Sequence, residues 1–200
     1  MTKYRNSPVD SRRFNVRLRF DDKELVDEMN MLEVQRIEEA AGCSIDVVAG
    51  RYVLDIGCGY GSLFIESLKE RGKEQRGFVH IDADQRVFTS DNNLCSIEKS
   101  KLDAYWAGDM KVCGDAHKLP FRDGKFDLVH MKGTLWDNEK EDSRLEAFVR
   151  TQIQHEIRRV LKQGGFYYGD DYIAVYKGED IAGFKQFEAS FPNMALYQKR

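Results

Sequence analysis

The feature that most constrains this chain is a glycine-rich segment at residues 53–61, with the sequence VLDIGCGYG. Its apolar start, which runs up to Asp55, is typical of the end of a buried parallel strand. Gly57, Gly59 and Gly61 allow a tight turn and a close approach of the backbone to a bound molecule. Apolar residues return directly after the turn and predict a helix there. Strand, turn and helix N-terminus together predict a site of the shape that binds nucleotides. The GxGxG spacing alone is weak evidence for such a site.

Strands and helices alternate along the rest of the chain. Strand patterns occur at 14–20, 52–56, 78–82, 110–114, 126–131 and from 166, and helix patterns at 23–41, 61–71, 84–100 and 141–162. Such alternation predicts an α/β, Rossmann-like fold, in which a doubly wound and mostly parallel sheet carries helices on both faces. We expect a single domain of this kind at 43–200, preceded at 1–42 by a basic segment with a strand and an amphipathic helix. Ligands of such sheets bind beyond the carboxyl ends of the strands.

Composition excludes several classes of protein. The 200 residues carry a net charge of −3, so the chain as a whole lacks the basic signature of a nucleic-acid-binding protein. The four cysteines are widely scattered and form no CxxC pair, so we predict neither a metal site nor a disulfide framework. No apolar run approaches the roughly 20 residues of a membrane helix or resembles a signal peptide. We therefore expect a cytoplasmic protein that does not contact a membrane.

Residues 1–20 form a basic arm, in which Asp10 is the only acidic residue. Its basic residues are Lys3, Arg5, Arg12, Arg13, Arg17 and Arg19. Such an arm could meet a phosphate, an acidic substrate or a membrane surface, but the interpretation we favour is a solvated terminus without a partner. Nucleic acid is kept as an alternative partner that the net charge of the chain does not favour.

Four segments carry a family resemblance. They read VLDIGCGYG at 53–61, VHID at 79–82, GDAHKLPF at 114–121 continuing into DGKFDLV at 123–129, and EIRRVLKQGG at 156–165. Together they resemble the class I S-adenosylmethionine-dependent methyltransferases, in particular the small-molecule branch with a type 11-like methyltransferase domain. The most specific parts are LPFxDGxFDLV and RRVLKxGG. A nicotinamide-binding oxidoreductase, the rival for a glycine turn, has no role for these parts and needs the spacing GxGxxG.

The resemblance implies S-adenosylmethionine as cofactor and assigns residues to it. The glycine turn would lie against the adenosyl and methionine moieties, with Asp55 ordering the turn and facing the positive charge of the ligand. Asp82 would accept hydrogen bonds from the ribose hydroxyls, or alternatively cap the helix that follows it. Asp115 would accept one from the adenine amino group, or alternatively cap a turn. The complete implied cofactor set is Asp55, Gly57, Cys58, Gly59, Gly61, Asp82, Ala83, Asp115, Ala116, Met131 and Lys132.

The implied reaction is an in-line displacement, in which a nucleophilic atom of an acceptor attacks the sulfonium methyl group. Because that methyl group is already activated, positioning can supply most of the rate, and the family has no universal catalytic residue. The candidate bases are His130, Asp170 and Asp171, at the carboxyl ends of their strands. The alternatives are that His130 points into the helix layer and that the two aspartates cap a loop. Asp127, at the start of its strand, is expected to be structural.

The acceptor is expected to be a small molecule. Residues 130–134, with the sequence HMKGT, stand where the enzymes that methylate amino groups of DNA bases or of glutamine carry an Asn/Asp-Pro-Pro-Tyr/Phe motif. Two alternatives stay open. One is a catalytically silent protein of this fold that binds the cofactor, or a partner, as a regulatory subunit. The other is an RNA or protein methyltransferase that uses the basic arm.

The C-terminal part departs from the family pattern. Domains of this family usually add a helix and a two-stranded antiparallel hairpin after the fifth strand. The residues that remain here suffice for a helix at 178–189 and one strand at 194–199. We therefore expect residues 14–20 to supply the missing edge strand, in the same chain or in a dimer partner.

Overall fold

A seven-stranded sheet organises the computed structural model, which describes residues 23–59, 61–72, 77–88, 107–132, 143–170, 183–191 and 194–200. The strands are β1 (Tyr52–Ile56), β2 (Gly77–Asp82), β3 (Met110–Cys113), β4 (Phe126–Met131), β5 (Leu161–Asp170), β6 (Phe184–Phe191) and β7 (Met194–Lys199). The helices described are α1 (Lys23–Ala41), α2 (Ile45–Ala49), α3 (Leu63–Gly72) and α4 (Ser143–Val160), with a 3-10 turn at Gln85–Phe88.

The strand order is β3-β2-β1-β4-β5-β7-β6. Strands β1 to β5 pair in parallel, and β7 runs antiparallel to both β5 and β6. The winding of the chain reverses between β1 and β4, and this is the switch point at which ligands of doubly wound sheets bind. The predicted α/β, mostly parallel, Rossmann-like sheet is therefore confirmed.

Apolar side chains cover both faces of the sheet, because alternate residues of a strand point to opposite faces. Val53 of β1 packs in a core with residues of α1, α2 and α3, whereas its neighbour Leu54 packs in a second core with residues of α4. The helices contribute Val34, Ile37, Ile45, Val48, Phe64, Ile65 and Leu68 to the first core and Ile153, Ile157 and Val160 to the second. Each such side chain stabilises the fold by roughly 2 kcal/mol on burial.

The described helix ends agree closely with the sequence pattern. Helix α1 has the predicted bounds, and it ends where Gly42 takes a φ of 67° and donates its N–H to the carbonyl of Glu38 at 2.9 Å. Helix α4 ends at Val160, earlier than the predicted residue 162, because Leu161 already pairs with Phe126 of β4. Of the predicted helix at 84–100, only the 3-10 turn and Asp84 before it are described.

The predicted helix at 178–189 is wrong, because residues 184–191 form strand β6. The predicted strand at 194–199 is confirmed as β7, and it pairs with β6 in an antiparallel hairpin. Phe184 and Phe187 are three residues apart, which suits one face of a helix, but they pack in the opposite cores of the sheet as strand residues do. The edge position is thus filled by β6, and residues 14–20, expected to fill it, lie outside the described residues.

No described helix has both the length and the hydropathy that a membrane-crossing segment requires.

Candidate functional site

The glycine turn follows β1 at the carboxyl edge of the sheet. Gly57, Gly59 and Gly61 have φ angles of 64°, 52° and 120°, a region that L side chains rarely adopt. The N–H of Gly57 donates to the carbonyl of Ile81 in β2 at 2.8 Å, and that of Gly61 donates to Cys58 at 2.9 Å. The Cys58 side chain is buried. These bonds hold the turn against the end of β2.

Asp82, the last residue of β2, ties the turn to its own strand. Its Oδ2 accepts the N–H of Gly59 at 2.9 Å, and its Oδ1 accepts the N–H of Asp84 at 2.9 Å. The second bond is the local cap that the sequence left as an alternative. The carboxylate is buried, and each oxygen has a second lone pair for a further donor. The neighbouring Ala83 is exposed, and its carbonyl lies 3.7 Å from the Sγ of Cys113.

Asp115 follows β3, the strand next to β2. Its Oδ1 accepts the N–H of His117 at 2.9 Å and lies 2.6 Å from the Nδ1 of that ring. These hydrogen bonds from His117 lower the pKa of the Asp115 carboxyl. The side chain is 66% exposed, so an ionised acceptor stands open to a ligand at this edge. Ala116 packs against the core beside it.

The residues at the ends of β4 and β5 differ in their surroundings. Met131 is buried in the core that faces α4, whereas the exposed Lys132 places its Nζ 3.8 Å from the Oε1 of Glu33 in α1. Asp170 is the last residue of β5 and pairs with Met194 of β7. Asp171 lies outside the described residues.

A row of charged and polar side chains crosses the sheet at the level of Asp55. The register places His80 of β2 and His130 of β4 on either side of it. The Nδ1 of His130 lies 2.7 Å from Asp55 Oδ1, and the Nδ1 of His80 lies 3.2 Å from Oδ2. On the other side of the His80 ring, its Nε2 lies 3.0 Å from Asp109 Oδ2, and this oxygen also binds the Nζ of Lys69. We call these five residues the buried charge row.

Of the buried charge row, Asp55 and His130 were predicted from the sequence as site residues, whereas His80, Asp109 and Lys69 were not. A signal for His80 was present, since Asp55, His80 and His130 are each a polar residue between two apolar neighbours in a strand. No such signal exists for Asp109 and Lys69, because one precedes β3 in a loop and the other lies in α3. His130 points into the layer beneath the helices, with its ring centroid 5.2 Å from that of Phe64.

Burial and hydrogen bonding compete within the buried charge row. Burial alone raises the pKa of Asp55, but the hydrogen bonds from His130 and His80 outweigh burial and lower the pKa to about 2. For His80, burial lowers the pKa, and the hydrogen bonds to Asp109 and Asp55 more than reverse this. The pKa of Asp109 is lowered, against the effect of its burial, by His80 and Lys69. Both carboxyls are therefore ionised at neutral pH.

The amino edge of the sheet, opposite the glycine turn, carries contacts that hold the fold together; we call it the scaffold edge. Asp127, at the start of β4, accepts the N–H groups of Arg51 and Tyr52 at 3.0 and 2.9 Å, and its other oxygen binds Lys162 Nζ at 2.7 Å. The expectation of a structural Asp127 is thus confirmed. In α4, the Arg159 guanidinium contacts both carboxylate oxygens of Glu156 at 2.8 and 2.7 Å.

The same guanidinium binds the loop between β3 and β4. It donates to the carbonyls of Phe121 and Leu119 at 2.6 and 2.9 Å and to Asp123 at 2.8 Å, while Glu156 accepts the N–H of Leu119 at 2.7 Å. The motifs LPFxDGxFDLV and RRVLKxGG are thus in direct contact in the fold.

Comparison with known proteins gives a consistent picture. A family model described as a methyltransferase domain matches residues 54–169. Methyltransferase GfsG from Streptomyces halstedii is 28% identical over 131 residues, which are 66% of this chain and 41% of GfsG. The chain therefore spans less than half the length of that relative.

Two solved structures share the fold over most of the chain. A protein of Methanococcus maripaludis, described as an S-adenosyl-L-methionine-dependent methyltransferase, superposes with a TM-score of 0.60 at 17% identity, covering 100% of this chain and 97% of its own. TrmN from Thermus thermophilus has a TM-score of 0.58 at 16% identity, covering 86% of this chain and 49% of its own. At such identities the likeness shows the fold.

The site residues fit the cofactor of that family. Asp82 keeps lone pairs for two hydroxyl donors, and Asp115 presents an exposed acceptor beside the amide of Ala116 at the end of the next strand. The backbone of the glycine turn carries no side chain at 57, 59 or 61 to keep a ligand away. The chain belongs to the methyltransferase domain family, and the cofactor that this membership implies is S-adenosyl-L-methionine.

Proposed function

We propose that this protein transfers the methyl group of S-adenosylmethionine to a nucleophilic atom of a small-molecule acceptor by in-line displacement. The bound cofactor would supply an electrophilic methyl group, so the main task of the chain is to hold two reactants in line. Well-oriented reactants lower a barrier by roughly 7–11 kcal/mol. This explains why no universal catalytic residue is needed.

One observation carries the proposal. Two carboxylates stand at the carboxyl edge of the sheet, Asp82 as the last residue of β2 and Asp115 just after the adjacent β3, and Asp82 is hydrogen-bonded to the glycine turn at Gly59. In our assignment Asp82 binds the ribose hydroxyls, and Asp115 with the amide of Ala116 binds the adenine. Met131 and Lys132, after the switch point, border the methionine moiety. Asp55 acts from inside the fold, because its two carboxylate oxygens already contact His130 and His80.

A small acceptor fits the charge and the sequence of the chain. The net charge of −3 gives no general attraction to nucleic acid. The segment HMKGT at 130–134 lacks the paired prolines of enzymes that methylate base or glutamine amino groups. The exposed Lys132, whose partner Glu33 is buried, leaves a cation at the end of β4 with which a polar small molecule can pair.

Calorimetric titration with S-adenosylmethionine tests the cofactor assignment. We expect micromolar binding to the wild type and at least tenfold weaker binding to Asp82→Ala. Asp123→Asn is the matched control, since its side chain is 80% exposed and belongs to the scaffold edge. Absence of heat with the wild type overturns the proposal and favours a silent protein of this fold.

A turnover assay tests the acceptor class. Release of S-adenosylhomocysteine would be measured with panels of small hydroxyl, carboxyl, thiol and amine compounds, and separately with bulk tRNA. Turnover with a small compound supports the proposal. Turnover with RNA alone, falling steeply as salt is raised, contradicts it and favours the basic arm as a nucleic-acid contact. Cofactor binding without turnover in any panel favours the regulatory alternative.

A further inference from the structure

The buried charge row contains one atom whose role the proposed function leaves open. His130 is 1% exposed, and no described residue forms a hydrogen bond with its Nε2. Buried polar atoms are nearly always hydrogen-bonded, to protein, water or a ligand. His130 is the penultimate residue of β4 and directly precedes Met131 and Lys132 in the chain. Its side chain, however, lies on the opposite face of the sheet from that of Met131, beside Asp55, which comes two residues before the glycine turn.

Hydrogen-bond chemistry fixes the protonation of His80. Ionised carboxylates only accept hydrogen bonds, so a ring nitrogen that faces one must carry a proton. The two nitrogens of His80 face Asp55 at 3.2 Å and Asp109 at 3.0 Å. His80 is therefore an imidazolium while both carboxylates are ionised, and the same hydrogen bonds to Asp109 and Asp55 raise its pKa against the effect of burial.

The same chemistry fixes the tautomer of His130. Its Nδ1 faces the ionised Asp55 at 2.7 Å and must donate. Lys69 and His80 carry two positive charges against the two negative charges of Asp109 and Asp55, so these four side chains are together neutral. A proton on Nε2 would add an uncompensated buried charge, which is costly. His130 is thus a neutral ring with a bare Nε2.

We propose that His130 Nε2 accepts the proton of a hydroxyl group on the methyl acceptor, and that Asp55 and His80 are the positioning residues that keep this nitrogen bare and oriented. The inference rests on the proposed function and deepens it by naming the acceptor chemistry. A carboxylate or thiolate acceptor needs no base, whereas an alcohol or phenol must lose a proton. The arrangement of Asp55 and His130 follows the logic of the acid that orients a histidine base in other enzymes.

The step balances in atoms and charge. The hydroxyl oxygen forms a bond to the methyl carbon, its proton passes to Nε2, and the pair of the broken carbon–sulfur bond stays on sulfur. One positive charge, initially on the sulfonium, ends on His130, where the Asp55 carboxylate at 2.7 Å opposes it. No further reactant is required.

Among the described residues, the elements packed around His130 contribute few other charges. From α3 the ring meets Phe64, and from β5 it meets Tyr168 with the ring centroids 6.0 Å apart. The Tyr168 hydroxyl donates to Glu33 of α1 at 2.6 Å, and Lys132 Nζ lies 3.8 Å from the same carboxylate. The charges of Glu33 and Lys132 are opposite, so together they do not change the net charge around His130.

Nitrogen-15 NMR of the histidine rings, in the wild-type protein without ligand, tests the inference independently of turnover. His117→Asn, His130→Asn and His155→Asn assign three of the four rings, and the remaining ring is His80. At pH 7 we expect His130 to carry a proton on Nδ1 alone and His80 to carry both. A protonated Nε2 on His130, in either tautomer or in the imidazolium, overturns the proposal.

His130→Asn distinguishes a role of His130 in catalysis from a role in stabilising the fold. The asparagine amide can still donate to Asp55, but it offers no atom at Nε2. With a hydroxyl acceptor, we expect kcat to fall by about 10²–10⁴ and the shape of its pH profile to change. We expect the cofactor Kd and the acceptor KM to change less than about threefold. The exposed His155→Asn in α4 is the matched control.

The outcomes distinguish this inference from the proposed function. Cofactor binding with an unchanged kcat in His130→Asn overturns the role of His130 and leaves the proposed function intact. Turnover restricted to carboxylates or thiolates does the same. A wild type that does not bind S-adenosylmethionine overturns the proposed function itself.

Discussion

Asp82 and Asp127 each accept two backbone N–H groups, yet they stand at opposite edges of the sheet. Asp82 ends β2 beside the glycine turn, while Asp127 begins β4 and binds the segment that leads into β1. Hydrogen bonding alone therefore does not separate a cofactor ligand from a scaffold residue. The edge of the sheet is the distinction behind our proposal for Asp82, because ligands of doubly wound sheets bind outside the carboxyl ends of the strands.

Asp127→Ala should destabilise the fold without affecting the cofactor. It removes the acceptor for the N–H groups of Arg51 and Tyr52, and we expect the free energy of unfolding to fall by about 2 kcal/mol. Urea denaturation measures this loss, and calorimetry should show a cofactor Kd within about twofold of wild type. Asp123→Ala is the control, with an expected loss below about 0.5 kcal/mol. A larger loss of cofactor affinity than in Asp82→Ala would contradict the assignment.

Asp55→Asn should be among the most destabilising conservative substitutions in this chain. The change removes the charge between His130 and His80 and leaves the His80 imidazolium with Asp109 as its remaining carboxylate partner. Breaking one partner of a buried ionic pair costs about 3–5 kcal/mol. Equilibrium urea unfolding at pH 7 measures the loss, with Asp46→Asn in the exposed first turn of α2 as control. Wild-type stability in Asp55→Asn would show that the row is not charged as described.

At the scale of elements, Arg159 joins α4 to the loop before β4. Its guanidinium makes a fork-like contact with Glu156 and reaches the carbonyls of Leu119 and Phe121 in the same loop. The hydrogen bonds that Arg159 donates to Glu156, the larger cause, and to Asp123 raise the pKa of its guanidinium. The loop leads into Phe126 of β4, so this contact sets where that central strand begins.

Arg159→Lys should weaken this junction, because a lysine ammonium cannot reproduce the planar, multiply donating fork. We expect the free energy of unfolding to fall by about 2 kcal/mol. Arg158→Lys, at the exposed neighbouring position, should cost less than about 0.5 kcal/mol. Adding Glu156→Gln to each variant gives a double-mutant cycle, and a coupling energy near zero would refute the junction.

Local periodicity predicted most of these elements but failed where tertiary pairing decides. The bounds of α1, β1 and β4 follow from hydrophobic patterns within one segment. Strand β6 does not, because Phe184 and Phe187 are spaced as on a helix face and the strand exists through its pairing with β7. The site divides in the same way. Glycines and strand-end acids are visible in the sequence, whereas the Asp109 link between β2 and α3 depends on loops that only the fold brings together.

At the scale of the whole molecule, the sheet separates two kinds of electrostatics. The amino edge carries the partly exposed contacts of Asp127 and Arg159, whose rearrangement changes stability. The carboxyl edge carries Asp82 and Asp115. The buried charge row crosses β2, β1 and β4 near the carboxyl edge. A change in the protonation of Asp55 or His80 should therefore change the free energy of unfolding.

The pH dependence of global stability should follow from the buried charge row. The pKa of Asp55 is lowered from 3.8 to about 2, so its contribution of roughly 2 kcal/mol is present above pH 4 and is lost as the pH falls towards 2. The lowered pKa of Asp109 acts in the same direction. The pKa of His80 is raised above 6.5, so its contribution is present below that pH and is lost as the pH rises through the higher folded value.

We therefore expect the free energy of unfolding to be greatest between about pH 4 and pH 6.5, as measured by urea denaturation in closely spaced buffers. Asp55→Asn should flatten the acid limb, because the group that binds a proton on unfolding is then missing. Asp123→Asn should leave that limb unchanged, since its carboxylate is exposed at the scaffold edge. An alkaline limb on which stability rises above pH 6.5 would mean that His80 is neutral in the folded protein. The tautomer assigned to His130 would then lose its basis in charge balance.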